Sequence, residues 1–554
     1  MAFRDLLERR RLIASVGAPT VLGAAAIAVY TFALPSNSAH TADTQLKSSV
    51  TECHDMVTVS VAGRRDTPVA GTTKMLVDAN GNALPAALSG DHKSYWVDPV
   101  VNAPAGSVPP GSYTAVYVAY PANLATYEDA VTAGVANTEK VMQEIAKYCP
   151  NTKFSVVGYS EGADVARRVA MDIGHQRAGV DPNKVLGVVI LADAGRSAGD
   201  GPFPGARDPF GSPDGFNRKY QNGVTPVSGE GALPGTAGDF GALNGKIASF
   251  CSEGDLTCAA PQNISLLNLV INVGRQLNVD RLEKEGLTPA TGQDVAVTLG
   301  RIAMAAFADI ASQPNWMASD ETFLQVLLRV SDPAYKPGQA PRPAAPADAV
   351  NVDQMSPLAY LPKKIFNEIV GLVVTNQNTI PVIMSDPYNL TLGPDAKGHH
   401  FDYWRDANAA NGKPLSSAQY AAAWLTQLAK EAREGKTPNT AAKPAPAQLA
   451  SNYREVERNL TAPDDDYAAV SSTTKSSATT STTTTTSTTT PTATAKAEPI
   501  AGSTTATTTT TTPPATTSTT TPPPSTTKPS STTSRTTTTS TTTTTTTPTT
   551  TPCR

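Results

Sequence analysis

The sequence predicts a doubly wound α/β domain, in which helices cover both faces of a parallel sheet. The first observation is a set of four apolar runs rich in β-branched residues, the composition of strands that are buried on both faces. The second is that these runs alternate with helical patterns, as in βαβ units. The runs lie at residues 57–61, 113–120, 154–157 and 185–192, and the longest helix pattern between them covers 127–148.

The third apolar run passes directly into a helix pattern through a Gly-x-Ser-x-Gly sequence. Residues 158–162 read Gly-Tyr-Ser-Glu-Gly, and apolar residues at helical spacing follow from residue 163. A serine on such a sharp strand-to-helix turn, between small residues, is typical of the nucleophile elbow of α/β-hydrolases. We therefore predict that Ser160 is a nucleophile in an α/β-hydrolase fold.

The same chain contains a second Gly-x-Ser-x-Gly match, which serves as a control. Residues 195–199 also follow an apolar run, but the chain continues Gly-Asp-Gly-Pro-Phe-Pro from residue 199. Glycine and proline at that density do not nucleate a helix. We therefore predict that Ser197 lies in an ordinary loop.

A nucleophilic serine needs a base, and the order of the catalytic residues along the chain narrows the choice. In α/β-hydrolases the order is serine, acid, histidine, so the base follows Ser160 at some distance. Of the six histidines, only His399 and His400 lie well beyond it, as an adjacent pair in a glycine-rich turn. Either histidine is a candidate at this point.

The acid that orients the base is predicted between the nucleophile and these histidines. Asp255 lies in a short segment bounded by Cys251 and Cys258. A disulfide across so short a loop would hold the carboxylate rigidly, as the orientation of an imidazole requires. Asp255 is therefore favoured, and Asp193 and Glu253 are the alternatives.

Several short blocks together resemble the cutinase family. A Cys-Pro-x-x-x-Phe block precedes the elbow at residues 149–154, and a Gly-Asp pair stands between the two close cysteines. Residues 240–246 and 255–261 share further blocks with the cutinase-like envelope lipid esterases and phospholipases of mycolic-acid-containing actinobacteria. The family's His-x-x-Tyr motif appears at residues 400–403, which selects the second of the two histidines as the base.

This resemblance implies roles for further residues. The catalytic set becomes Ser160, Asp255 and His400, and the backbone N–H groups of Glu161 and Arg64 become the oxyanion donors. Glu161 departs from the family, which usually has glutamine after the nucleophile, and Arg64 stands where a serine or threonine is usual. The resemblance also implies an anchor that faces the periplasm or cell wall, and disulfides that join Cys53 to Cys149 and Cys251 to Cys258.

The N-terminal residues predict export. Residues 12–34 contain no charged side chain, and four arginines precede them. This pattern is that of an export signal, and the apolar run is long enough to cross a bilayer. We therefore expect residues 1–44 to form a basic start and a transmembrane anchor. The protein would be secreted instead if the segment is cleaved, an alternative that Pro19 and Gly23 favour.

The remaining sequence predicts a domain with a large insertion and a tail. We assign 45–260 and 396–435 to the cutinase-like domain and 261–395 to an inserted helical segment, a possible lid or acyl-chain groove. Residues 436–470 form a linker. Residues 471–554 are rich in Thr, Ser and Pro, the composition of a disordered, O-glycosylated stalk, and contain the unassigned Cys553. Helical patterns in the insertion cover 264–277, 295–310, 323–330 and 365–374.

Together these features predict an exported serine esterase that hydrolyses acyl esters of envelope lipids, with phospholipase-like or thioesterase-like activity. Acyl transfer to a sugar or a lipid alcohol uses the same residues, and a non-catalytic surface module on a glycosylated stalk is a further alternative. A net charge of −4 with both signs interspersed argues against a nucleic-acid partner. We expect no metal or organic cofactor, a lipid or small ester as substrate, contact with the membrane through the N-terminal segment, and a monomer.

Overall fold

The computed structural model describes residues 52–436 except 123, 207–208, 211–226, 314, 339–359, 409 and 411–412. The predicted anchor, linker and stalk lie outside the described residues, apart from Lys436, and Cys553 also lies outside them. Within the described part, no helix is both long enough and apolar enough to cross a bilayer.

A six-stranded sheet forms the centre of the domain. Its order is β2-β3-β1-β4-β5-β6, and adjacent strands are parallel except where β2 pairs with β3. The predicted wholly parallel sheet is therefore wrong at this edge, where the sheet is mixed. The strands are β1 (Met56–Val61), β2 (Ala86–Leu88), β3 (Tyr113–Val118), β4 (Lys153–Tyr159), β5 (Val185–Leu191) and β6 (Ile247–Phe250).

Helices cover both faces of this sheet, as the sequence predicts. One face packs against α2 (Tyr127–Tyr148) and α3 (Glu161–Gly174), and the other against the short α1 (Asp98–Val101) and the long α11 (Ser417–Arg433). Helix α2 has the predicted bounds because Thr126 caps it by accepting a hydrogen bond from the Asp129 N–H. The result is a three-layered α/β architecture, with the sheet between two layers of helices.

The segment between β6 and α11 is mainly helical. Its helices pack on one another, and ion pairs join them to the sheet domain, including that between Arg275 and Glu128 of α2 at 2.8 Å. The helices are α4 (Ser265–Gly274), α5 (Val279–Glu285), α6 (Pro289–Ala311), α7 (Phe323–Ser331), α8 (Leu361–Val374), α9 (Thr379–Met384) and α10 (Pro387–Thr391).

Two disulfides tie the ends of these elements together. Cys53, just before β1, is bonded to Cys149 at the end of α2, and Cys251 is bonded to Cys258 across the loop after β6. Both predicted pairings are confirmed. The second disulfide closes a loop of seven residues' separation, which limits the freedom of the segment that contains Asp255.

Candidate active site

The turn from β4 to α3 presents Ser160 at the carboxyl edge of the sheet. Ser160 has a φ of 59° and a ψ of −125°, and Glu161 is the first residue of α3. A Cβ atom at Gly158 would lie 2.2 Å from the carbonyl oxygen of Gly162, and one at Gly162 would lie 2.1 Å from the carbonyl oxygen of Val61. The two glycines are therefore required for this strained turn, which has the geometry of a nucleophile elbow.

Three side chains from distant parts of the chain meet at this turn. The Ser160 Oγ lies 2.9 Å from the His400 Nε2, and the His400 Nδ1 lies 2.9 Å from the Asp255 Oδ2. An ionised carboxylate only accepts hydrogen bonds, so the Nδ1 carries the proton and the Nε2 is free to accept one from the serine. This arrangement can deprotonate Ser160 for attack on a carbonyl carbon.

Asp255 is buried and held by several donors. Its carboxylate accepts hydrogen bonds from the Tyr403 hydroxyl at 2.7 Å and from the Thr257 N–H at 3.0 Å, in addition to His400. Burial by itself raises the pKa of Asp255, but these partners outweigh it and hold the pKa below its ordinary value. Asp255 therefore stays ionised and can stabilise a protonated His400 ring.

The imidazole of His400 is fixed from a second direction. The Tyr159 ring stacks on it with centroids 5.3 Å apart, and the Tyr159 hydroxyl donates to the His400 carbonyl oxygen at 2.8 Å. The neighbouring His399 is directed elsewhere, because its Nδ1 lies 2.8 Å from the Asp402 Oδ2. The structure thus places His400, and not His399, beside Ser160.

The alternative candidates lie apart from this arrangement. Asp193 is buried in an ion pair with Arg167 at 2.8 Å and also accepts a hydrogen bond from the Ser249 hydroxyl. These contacts stabilise the fold and do not involve His400. Glu253 is exposed. Ser197 lies in a loop, and no helix begins within the described residues 198–206, as its flanking glycines and proline predict.

The loop after β1 lies directly against the nucleophile. A Cβ atom at Gly63 would come within 2.9 Å of the Ser160 Cβ and 3.4 Å of its Oγ, so only glycine allows this close approach. The next residue, Arg64, forms an ion pair with Asp280 of α5, and its Nε donates to the same carboxylate at 2.7 Å. The inserted segment therefore fixes the loop that brings Arg64 beside Ser160.

Glu161 has an environment that favours its neutral form. Its carboxyl group is buried, and its Oε1 has no hydrogen-bond partner among the residues that the structure describes. Burial raises the pKa of Glu161 to about 8, against the opposing effect of the Arg64 charge. Near neutral pH, Glu161 therefore differs little in charge from the glutamine that is usual after the nucleophile, because a protonated glutamate is also uncharged.

A mostly apolar cavity of about 540 Å³ is lined by residues next to Ser160 and Asp255 in sequence, but not by Ser160, Asp255 or His400 themselves. Its volume is in the range of small-molecule binding sites. Glu161, Arg64 and Thr257 contribute to its wall, while the remaining wall includes side chains of the inserted helices: Leu267 and Ile271 of α4, Val382 of α9, and Tyr388 of α10, followed by Leu392.

The residues that support the triad were only partly predictable from the sequence. Tyr403 belongs to the His-x-x-Tyr motif, but its contact with Asp255 emerges only from the fold. Tyr159 and Thr257 carry no separate signal, although each is adjacent or close in sequence to a predicted catalytic residue. Among the residues with described positions, no group of three or more His, Cys, Asp or Glu side chains is arranged to hold a metal ion.

Comparison with known proteins gives a consistent picture for part of the chain. The family model described as cutinase matches residues 90–268, which include Ser160 and Asp255. A curated carboxylesterase, the Culp6 homolog of Corynebacterium glutamicum, is 33% identical over 143 residues. That match spans 26% of this chain and 46% of the relative, so the chain spans about half the length of the curated relative that it matches.

Solved structures with similarity to this chain include three proteins from different sources. A cutinase-like protein from Cryptococcus sp. is 17% identical, with a TM-score of 0.26, and the match covers 38% of this chain and 82% of the other. The catalytic core of acetyl xylan esterase from Trichoderma reesei is 18% identical, with a TM-score of 0.25 and coverage of 41% and 94%. Lysin B from Mycobacteriophage D29 is 15% identical, with a TM-score of 0.27 and coverage of 44% and 86%.

The family match and the sheet topology agree with the resemblance that the sequence motifs carry. The matched region contains the elbow and the disulfide-bounded loop of Asp255, while His400 lies beyond it and is brought to the site by the fold. Residues 90–268 of this chain therefore match the cutinase family, and the carboxylesterase relative agrees with that match.

Proposed function

We propose that this protein is a serine carboxylic-ester hydrolase that acts on acyl esters of envelope lipids. The observation that carries the proposal is the continuous hydrogen-bonded series from Ser160 through His400 to Asp255, with both distances at 2.9 Å. The apolar cavity beside it supports an acyl chain as the group that is bound. Both features fit the cutinase family and the carboxylesterase relative.

The proposed reaction begins with proton transfer from the Ser160 hydroxyl to the His400 Nε2. Ser160 then attacks the acyl carbonyl, and the backbone N–H groups of Glu161 and Arg64 stabilise the oxyanion. Glu161 lies in the first turn of α3, where backbone N–H groups have no partner within the helix and the helix dipole favours negative charge. His400 returns its proton to the leaving alcohol, and a water molecule hydrolyses the acyl-enzyme.

The proposed location is outside the cytoplasm, at the membrane or cell wall. The uncharged segment 12–34 supports export, and an anchor if it is retained. The two disulfides support the same conclusion because disulfides persist mainly in oxidising compartments.

Ser160→Ala is expected to abolish covalent labelling by a fluorophosphonate probe and to lower kcat for p-nitrophenyl esters by about 10⁶-fold, since the nucleophile is removed. Ser197→Ala is the matched control and should label like the wild type. The measurement is probe labelling of the full chain in detergent, beside ester turnover. Labelling that survives in Ser160→Ala, or that is absent from the wild type, contradicts the proposal.

The same preparation separates hydrolysis from acyl transfer. With a phospholipid substrate and an added sugar or lipid alcohol, we expect free fatty acid as the main product. An acylated acceptor as the main product would instead assign the protein to the acyltransferases, with the same triad.

Leu267→Trp is expected to reduce kcat/KM for long-chain esters at least tenfold and to leave short-chain esters unchanged. Leu267 lines the cavity, and a tryptophan there would fill space that an acyl chain needs. Val270→Trp is the matched control because Val270 lies on the same helix but is exposed. Turnover is measured across acyl lengths in mixed micelles. An equal change at all lengths would mean that the cavity does not bind the acyl chain.

A further inference from the structure

We propose that exposed helices of the inserted segment form a lipid-docking face, which holds the opening of the catalytic cavity against a membrane. This inference concerns where the site works and does not depend on which reaction occurs there. The apolar face, as we call it, consists of Phe366, Ile369 and Val373 on α8, Ile380 and Met384 on α9, and Tyr388 on α10. Each of these side chains has between 59% and 79% of its surface exposed.

The apolar face is formed by helices that protein covers only slightly. Helix α8 is described over its whole length, and Lys364 is its one buried residue. Monomeric soluble proteins seldom expose large contiguous apolar patches, and such patches mark sites of interaction with proteins, ligands or membranes. A helix that is apolar around most of its circumference is typical of burial in protein or lipid. The apolar face therefore requires a partner.

The distribution of charge favours lipid as that partner. Within residues 365–392, Glu368 and Asp386 are the charged side chains. The Glu368 carboxylate accepts a hydrogen bond from the Phe323 N–H at 2.9 Å, and the Asp386 carboxylate accepts one from the Asn389 side chain at 2.6 Å. Both charges are therefore engaged at helix N-termini, where the helix dipole also stabilises them.

The apolar face is continuous with the catalytic cavity. Val382 of α9 is buried and lines the cavity, while Ile380 and Met384 of the same helix are exposed. Tyr388 belongs to both surfaces, because it lines the cavity and is also 62% exposed. An acyl chain that leaves a lipid layer at Tyr388 would enter the cavity without crossing water.

The length of the N-terminal spacer places a membrane within reach. The uncharged run of the predicted anchor ends at residue 34, and the described structure begins at residue 52. The intervening chain spans at most about 60 Å when fully extended. Cys53 is fixed to the domain by its disulfide with Cys149, so the spacer ends at a rigid point. The bilayer that holds the anchor is therefore the lipid surface that the apolar face would contact.

The first test measures contact between the apolar face and lipid directly. The full chain, with Cys553→Ser as background, is reconstituted into phosphatidylcholine and phosphatidylglycerol vesicles after attachment of an environment-sensitive fluorophore to Met384→Cys. We expect blue-shifted emission that brominated lipids quench at least twofold, and that persists at high salt because the face is apolar. The matched control is Val69→Cys, an exposed site on the hydrolase domain, which should not be quenched.

Other occupants of the face give different results, and each overturns the proposal. A blue shift that depends on protein concentration and is not quenched by brominated lipid indicates a second copy of the chain. A blue shift in vesicles that is independent of protein concentration and is not quenched by brominated lipid indicates another segment of the same chain. Unshifted, unquenched emission at residue 384 means that the face remains in water.

The second test measures the consequence for lipid turnover. The double variant Phe366→Asp/Ile380→Asp is expected to reduce hydrolysis of vesicle lipids at least tenfold and to leave kcat/KM for a short soluble ester unchanged, because neither residue lines the cavity. Val69→Asp is the control and should change neither rate. Equal lipid turnover by the double variant and the wild type would overturn the proposal.

Failure of docking and failure of the proposed hydrolysis are distinguishable. The quenching experiment works equally with Ser160→Ala in the same background, because contact with lipid needs no chemical step. Quenching without any ester hydrolysis by the wild type would support the apolar face and contradict the esterase. Hydrolysis of soluble esters without quenching would support the esterase and contradict the apolar face as a lipid-docking site.

Discussion

Asp255→Asn is expected to lower kcat for a short soluble ester by about 10⁴-fold while the fold is retained. The asparagine amide can present its NH₂ group to the His400 Nδ1, which favours the tautomer with the proton on Nε2. That nitrogen then cannot accept the Ser160 proton across the 2.9 Å contact. Steady-state kinetics and the rate of fluorophosphonate labelling check the prediction, with circular dichroism to verify folding.

Two other substitutions serve as controls for this prediction. His399→Ala should leave kcat nearly unchanged, because His399 faces Asp402 and not Ser160. Asp193→Asn should lower the free energy of unfolding by about 3–5 kcal/mol, because it removes one charge of the buried pair with Arg167. A kcat of Asp255→Asn within about tenfold of the wild type would contradict the role proposed for Asp255, because a triad carboxylate contributes far more.

Much of the sheet was predictable because its central strands have a strong local pattern. β1, β3, β4 and β5 are nearly continuously apolar and rich in valine, so their burial on both faces is visible in the sequence. β2 and β6 are shorter, and their sequences Ala-Ala-Leu and Ile-Ala-Ser-Phe resemble ordinary buried loop segments. Their pairing depends on neighbours distant in sequence, which is why the antiparallel edge was missed.

The catalytic residues were predictable for a different reason. Chain order and the scarcity of late histidines restrict the base to His399 or His400, whereas a family motif was needed to choose between them. The structure supplies the physical reason, because the carboxylate of Asp402 binds one ring and the carboxylate of Asp255 binds the other. Such a distinction between adjacent residues depends on backbone direction, which composition and periodicity do not encode.

The inserted helices illustrate what periodicity alone leaves open. The patterns at 264–277, 295–310, 323–330 and 365–374 correctly predicted helices, but an apolar stripe is normally assigned to a core. In α8 most of that apolar surface is exposed instead. The exposure could be recognised only once the packing of the helix was known, and it changes the expected role of the segment from core to contact surface.

We expect the wild type to lose activity above about pH 8 and the Glu161→Gln variant to keep its activity there. Burial raises the pKa of Glu161 to about 8, so the side chain is neutral below that pH and ionised above it. An ionised carboxylate beside the developing oxyanion opposes it, so wild-type kcat/KM should fall up to tenfold per pH unit above 8. The measurement is the pH profile of kcat/KM for a short ester, corrected for background hydrolysis.

Asp280→Asn tests the electrostatic origin of this effect. Asp280 raises the pKa of Glu161 and Arg64 lowers it, so removal of the Asp280 charge should shift the loss of activity to a lower pH.

The pH dependence of stability provides a second readout for Glu161, because the folded-state pKa of Glu161 lies above its ordinary value of 4.5. The contribution of the neutral Glu161 to the free energy of unfolding is therefore fully present below about pH 4.5 and is lost as the pH rises through 8. In Glu161→Gln, the melting temperature should no longer show this dependence on pH. Identical pH profiles for the wild type and Glu161→Gln would show that Glu161 does not titrate near the oxyanion in this range.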